Sequence, residues 1–161
     1  TMGIDDKWLA KVQKALCNLF ADMGDHIVLR DIQPWWYTQL PSLPGGRPWT
    51  ALLMQSVLRH YSDVLGGART ICGLNMQTGD TLHAMLVSEN SEIQTFPDVV
   101  AAFLADDEIV QRRFGAEELR QMLVQRGMIA GNELIWNMPK ALAKDIRFAW
   151  DSDERYVTVR M

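Results

Sequence analysis

The chain has little of what marks a catalytic or metal-binding protein. Its two cysteines, Cys17 and Cys72, and three histidines, His26, His60 and His83, stand singly, without the short paired spacings that zinc sites use. Neither a metal nor another cofactor is expected. There is no G-x-S-x-G elbow, no Gly-rich loop ending in Gly-Lys-Ser/Thr and no H-E-x-x-H helix, so hydrolase, P-loop and metalloprotease readings lack support. The adjacent carboxylates Glu117-Glu118 and Asp106-Asp107 fall at a helix start or in a loop, where neighbouring side chains point apart. The chain is therefore not expected to be an enzyme. Gly45-Gly46-Arg47 and Gly66-Gly67-Ala68-Arg69 are more simply helix punctuation than anion cradles.

Long apolar runs are also missing. None reaches the roughly 20 residues of a membrane span, and the N-terminus lacks the basic and apolar regions of a signal peptide. Both cysteines have apolar sequence neighbours and read as free core thiols, which favours a reducing compartment. These features predict a cytoplasmic protein. The opening Thr1-Met2-Gly3 reads as a start in which Thr1 is foreign, and a place in a longer chain is compatible with it.

Positive charge is in short supply, with 16 Lys+Arg against 20 Asp+Glu and a net charge of −4. Residues 1–90 hold 7 basic and 8 acidic side chains, and residues 91–161 hold 9 and 12. Neither half is a basic lobe. Nonspecific DNA affinity comes mostly from Lys and Arg neutralising phosphates, so any nucleic-acid contact must be local. With 161 residues, 48% of them hydrophobic, the chain can bury one medium core or two small ones.

Trp8, Leu9, Val12, Leu16, Leu19 and Phe20 recur at three- and four-residue intervals, predicting an amphipathic helix over Asp5 to Met23 with Lys7, Lys11 and Lys14 outward. Gly24 stops it, and His26 to Leu29 reads as a short strand. Trp35, Trp36 and Tyr37 then fall in a proline-rich loop at 33–44, because prolines turn the residues before them away from helix. These aromatics are expected either to cover the junction between two halves or to form a partner-docking patch.

The segment Arg47 to Gly67 is the best-marked element. Pro48 suits a first helical turn and Gly66-Gly67 a left-handed stop. At about 100° per residue, Trp49, Leu53, Val57, Tyr61 and Val64 share the inward side, widened by Met54, Leu58 and Leu65. Gln55, Ser56, Arg59, Ser62 and Asp63 lie opposite. Arg69–Leu74 and Thr81–Val87 read as a hairpin around a turn at Asn75–Asp80, with a helix through Ala84, Met85 and Leu86 capped by Asp80 or Thr81 as the alternative for the second arm, and Ser88–Ser91 reads as a boundary. Phe96–Ala105 and Gly115–Gly127 read as helices, and a short one near Pro139 carries Lys140, Leu142 and Lys144. A last hairpin, 147–150 with 155–161, turns at Asp151–Glu154.

Helix, short strand, helix, helix, hairpin is the element order of a winged helix, a helix-turn-helix variant, and here it occurs twice. The chain resembles tandem winged-helix proteins: α+β, two packed units over 5–87 and 95–161, mostly helical with two small β-hairpins. The resemblance implies a regulator whose helix 48–65 faces DNA through Gln55, Ser56, Arg59, His60 and Ser62, with Lys140, Lys144 and Arg147 at the matching place in the second unit. Asp151, Asp153 and Glu154 would repel phosphate from the second wing. The alternative is a protein-interaction adaptor using Trp35, Trp36 and Tyr37 of the aromatic loop and the acidic second half. Expected partners are thus duplex DNA or a protein, with no membrane; a homodimer or a larger complex is compatible.

Overall fold

A computed structural model describes residues 4–78, 81–131 and 137–161. Helix α1 (Asp6–Met23) starts at Asp5, whose carboxylate accepts the Trp8 N–H at 2.9 Å and so satisfies an orphan donor of the first turn. Trp8, Leu9, Val12, Leu16 and Leu19 are buried, and Lys7, Lys11 and Lys14 are exposed. Cys17, read as a core thiol, is instead exposed, and Cys72 is only partly buried. Sequence neighbours misled here, because Cys17 stands 100° around the helix from Leu16.

Strand β1 (His26–Val28) leads into a 3₁₀ turn, Leu29–Asp31, and a second 3₁₀ segment spans Pro34–Gln39. The irregular stretch up to residue 50 is pinned by indoles. Trp8 Nε1 donates to the Ser42 carbonyl at 2.8 Å, Trp49 Nε1 to Pro41 at 2.7 Å, and Trp36 Nε1 to Ala15 at 3.1 Å. Trp8 and Trp49 also stack at 5.8 Å. The Ser42 and Pro41 carbonyls, which lie outside any helix or strand, thereby gain donors, Trp36 adds a second donor to a carbonyl inside α1, and the rings bury apolar area. The expected place of the Trp35/Trp36 loop at the junction is corrected: Trp36, 2% exposed, is packed in the first core.

Helix α2 spans Ala51–His60, shorter than the predicted 48–65. Thr50, not Pro48, opens it, its hydroxyl accepting the Leu53 N–H at 3.1 Å. It ends at Tyr61, and Gly66 and Gly67, both at positive φ, close a run of turns beyond it. The inward arc is also rotated. Met54 and Leu58 are 1% exposed, Leu53 is half-buried and Val64 is exposed.

Strands β2 (Arg69–Thr78) and β3 (Thr81–Val87) form the expected hairpin, and β1 joins it in the antiparallel order β1-β3-β2. The predicted turn at 75–80 is corrected, since β2 runs to Thr78 with a register shift between Cys72 and Gln77; residues 79 and 80 lie outside the described residues.

Both faces of this sheet are covered. Ile27, Leu82, Ala84 and Leu86 belong to the first core, while Val28, Ile71, Met85 and Val87 join a second core with Phe103, Met128 and Ile129. The halves are locked by more than apolar area. Arg30 donates to the Gln125 carbonyl at 2.5 Å, and Arg69 donates to Ser88 at 3.2 Å and Ile93 at 2.6 Å. The predicted polar boundary, Ser88–Ser91, is thus partly buried, at Ser91.

In the second half, α3 (Phe96–Asp106) begins with a reciprocal Thr95/Asp98 capping box, two orphan donors satisfied at once. Strand β4 (Gln111–Gly115) was not legible in advance: QRRFG buries only Phe114. It pairs with β6 (Tyr156–Arg160), which also pairs with β5 (Phe148–Trp150), giving the order β4-β6-β5. Between them lie α4 (Ala116–Gln125) and α5 (Asn137–Leu142). Each predicted hairpin therefore belongs to a three-stranded antiparallel sheet.

Candidate nucleic-acid interface

The outer side of α2 exposes Ser56, Arg59 and His60, and Ser62 follows, half-buried, in the next turn. Ser56 donates its hydroxyl to the Leu52 carbonyl at 3.1 Å. His60 packs edge-on against Tyr61 at 4.6 Å. Arg59 has no ion-pair partner among the described residues, so its guanidinium is available. Asp63, also exposed, sets one negative charge close by.

Gln55 departs from its expected exposure. It is 7% exposed, and its Nε2 donates to Thr70 Oγ1 at 3.3 Å and Cys72 Sγ at 3.1 Å. The cause is the rotation of the helix: with Met54 and Leu58 at the centre of the buried stripe, the residue after Met54 turns toward β2 rather than solvent. Gln55 joins helix to sheet and is not placed to reach a base edge. Arg59, Ser62, Arg69, Thr70 and Cys72 line with it an open groove of about 340 Å³. Thr70 and Cys72 were missed in the sequence. Their signal was the i, i+2 spacing on a strand, opposite to Ile71, but it points to α2 only once the sheet packs there.

The second set behaves differently. Lys140 is exposed on α5 and Lys144 is exposed just beyond its end. Arg147 is not free for a phosphate. It donates to Asp145 at 2.8 and 2.7 Å and to Asp98 at 2.7 Å. The hydrogen bonds that it gives to Asp145, and then to Asp98, raise its pKa above the ordinary arginine value. Asp145 is held below its usual range chiefly by Arg147. At Asp98 burial pushes upward, but Arg147 and the Gln94 and Thr95 amides outweigh it, and its pKa falls below 3.8. Arg147 thus ties the β5 approach to the start of α3.

The sign of the resulting pH dependence follows. A carboxylate with a lowered folded pKa contributes stability above its unfolded value, lost as pH falls through the folded one. Asp98→Ala is expected to cost about 1–2 kcal/mol at neutral pH through the lost cap and ion pair. Urea unfolding should show that gap narrowing below pH 3.8; an equal gap at pH 7 and at about pH 2 would contradict this linkage.

Of the three aromatics predicted to dock a partner, Trp36 is buried and Tyr37 packs edge-on against it at 5.3 Å. Trp35 alone is well exposed, at 58%, beside Met23 at 41%, and both line a groove of about 380 Å³ against the end of α1.

Among the described residues no group of three His, Cys, Asp or Glu side chains is placed to hold a metal, and no helix is long and apolar enough to cross a membrane. The chain matches no protein-family model, no curated protein and no solved structure.

Proposed function

We propose that this protein is a non-catalytic binding or regulatory module of two winged-helix units, residues 5–87 and 95–161, that meets duplex DNA through the outer side of α2. The sheet orders support the winged-helix part. In each half a strand that follows the first helix pairs with the second strand of the later hairpin, as β1-β3-β2 and β4-β6-β5. The observation that carries the DNA part is the exposed Ser56, Arg59 and His60 on the helix just before the first hairpin. In a winged helix that position enters the major groove. Arginine and hydroxyl side chains there suit guanine edges and phosphates.

The first unit is the better candidate. In the second, Arg147 is committed to Asp98 and Asp145, and Asp151, Asp153 and Glu154 are exposed at the turn between β5 and β6. A fluorescently labelled duplex in about 50 mM salt, where phosphate contacts are strong, is expected to gain anisotropy with the protein, and Arg59→Ala to weaken that binding. No anisotropy change would reject the DNA reading.

A second reading, a protein-interaction adaptor, draws on the exposure of Trp35 beside Met23. A partner retained after nuclease treatment and lost with Trp35→Ala would favour it.

A further inference from the structure

We propose that the groove between α2 and β2 is a seat for a single phosphate group, with Arg59 supplying the charge and the Thr70 and Ser62 hydroxyls supplying neutral donors. The proposal deepens the DNA reading and rests on it only for the source of the phosphate.

The composition of the wall is the first argument. In a chain with more acidic than basic residues, this groove has an apolar floor at Leu58 and a rim of two arginines, two hydroxyls, an amide and a thiol, with no carboxylate among its lining residues. Two guanidinium charges with no carboxylate among the lining residues attract an oxyanion and repel a cation.

The second argument is the state of each donor. Gln55 is buried and spends its amide nitrogen on Thr70 Oγ1 and Cys72 Sγ, which together use both of its hydrogens. Thr70 therefore has an accepted bond, and its own hydroxyl proton remains to be given. Gln55 acts as a positioning residue that aims Thr70. Arg69 also lines the groove, but its two terminal nitrogens donate to the Ser88 and Ile93 carbonyls. It adds charge without offering its fork. Arg59 has no ion-pair partner among the described residues, and a free guanidinium matches phosphate geometry bidentately. The groove, about 340 Å³ and open, leaves room for a diester whose backbone continues past the seat.

The same chemistry fits a free phosphate or one in a nucleic-acid backbone, so the test has two arms. Amide spectra of the whole chain are followed during titration with inorganic phosphate alone, at constant ionic strength, and separately with duplex DNA. Inorganic phosphate is expected to move the Ser62, Thr70 and Cys72 amides saturably, and Arg59→Ala to abolish the response. Thr70→Val should weaken duplex binding about three- to tenfold, the worth of one neutral hydrogen bond, without changing the salt dependence. Gln55→Leu should weaken it similarly in the parent and add nothing in the Thr70→Val background, which a merely structural role would not produce. If phosphate moves these amides while the duplex is silent, the seat stands and the DNA reading falls. If the duplex binds in an Arg59-dependent way while Thr70→Val is without effect and phosphate moves no amide, the seat is overturned and the DNA reading survives.

Discussion

Gly73→Ala is expected to be the most damaging addition of a single methyl group anywhere in the two halves' contact. A Cβ at Gly73 would stand 1.6 Å from the Met128 carbonyl oxygen and 2.7 Å from its carbon. That obstacle is backbone, not the end of a flexible side chain. Strand β2 and the segment after α4 touch main chain to main chain, and only glycine permits it. Overpacking a core usually costs about 1–3 kcal/mol, and this case belongs at or above the top of that range because neither backbone can turn aside. Thermal unfolding should fall by about 6–12 °C, taking about 2–4 °C per kcal/mol at this chain length. A melting temperature within about a degree of the parent would mean that the halves are not pressed together at Gly73.

The second large effect concerns the rotation of α2. Leu58 is 1% exposed whereas Leu53 is half-buried. Leu58→Asp is expected to abolish a cooperative transition, because an unpaired carboxylate in a packed core costs several kcal/mol out of a total of only about 5–15. Leu53→Asp, whose carboxylate can reach water, should cost no more than about 1–2 kcal/mol. The sequence alone makes Leu53 central to the buried side and so expects the severe loss there. Chemical denaturation of both variants decides the matter, and the opposite order of severity would restore that frame.

These two sites show what was legible in the chain and what was not. Helix α1 was readable because its buried positions, Trp8, Leu9, Val12, Leu16 and Leu19, keep one period from cap to end. In α2 the apolar pattern runs past the helix through Tyr61 and Leu65, which pack against the first core from the turns that follow. Periodicity carried across a helix end drags the inferred stripe around the axis. Gln55 suffered most. A glutamine looks like a surface residue until Thr70 and Cys72 appear beside it, and these strand residues, 15 and 17 positions away in sequence, become neighbours only through sheet packing.

The junction has its own signal in the sequence. Ala84-Met85-Leu86-Val87 is an unbroken apolar run, and all four residues are buried. A strand with one wet face alternates, and a continuous apolar run marks a strand covered on both. Trp35-Trp36-Tyr37 is expected from the sequence either to cover that junction or to dock a partner, because three adjacent rings cannot easily share one core. A single 3₁₀ segment instead sent Trp36 inward and left Trp35 outside. For β4 the sequence had almost no signal, since Arg112 lies over the Phe114 ring at 4.3 Å and pairs with Glu118. An arginine standing in for an apolar residue beside Phe114 hides the alternation.

Among the candidate site residues, Ser56, Arg59 and His60 kept their expected exposure, because the new frame turns α2 by too little to bury them. Arg147 did not keep its expected freedom. Asp98 and Asp145 lie 49 and 2 positions away in sequence, and the more distant partner is supplied by tertiary packing alone.

The most direct test of the central claim is the salt dependence of duplex affinity, measured by fluorescence anisotropy for the parent and for Arg59→Ala. If the outer side of α2 lies against DNA, log K falls linearly with log salt, and the slope for Arg59→Ala is shallower by about 0.9, one released counterion. Identical slopes for the two proteins would show that Arg59 meets no phosphate and that α2 is not the surface presented to DNA.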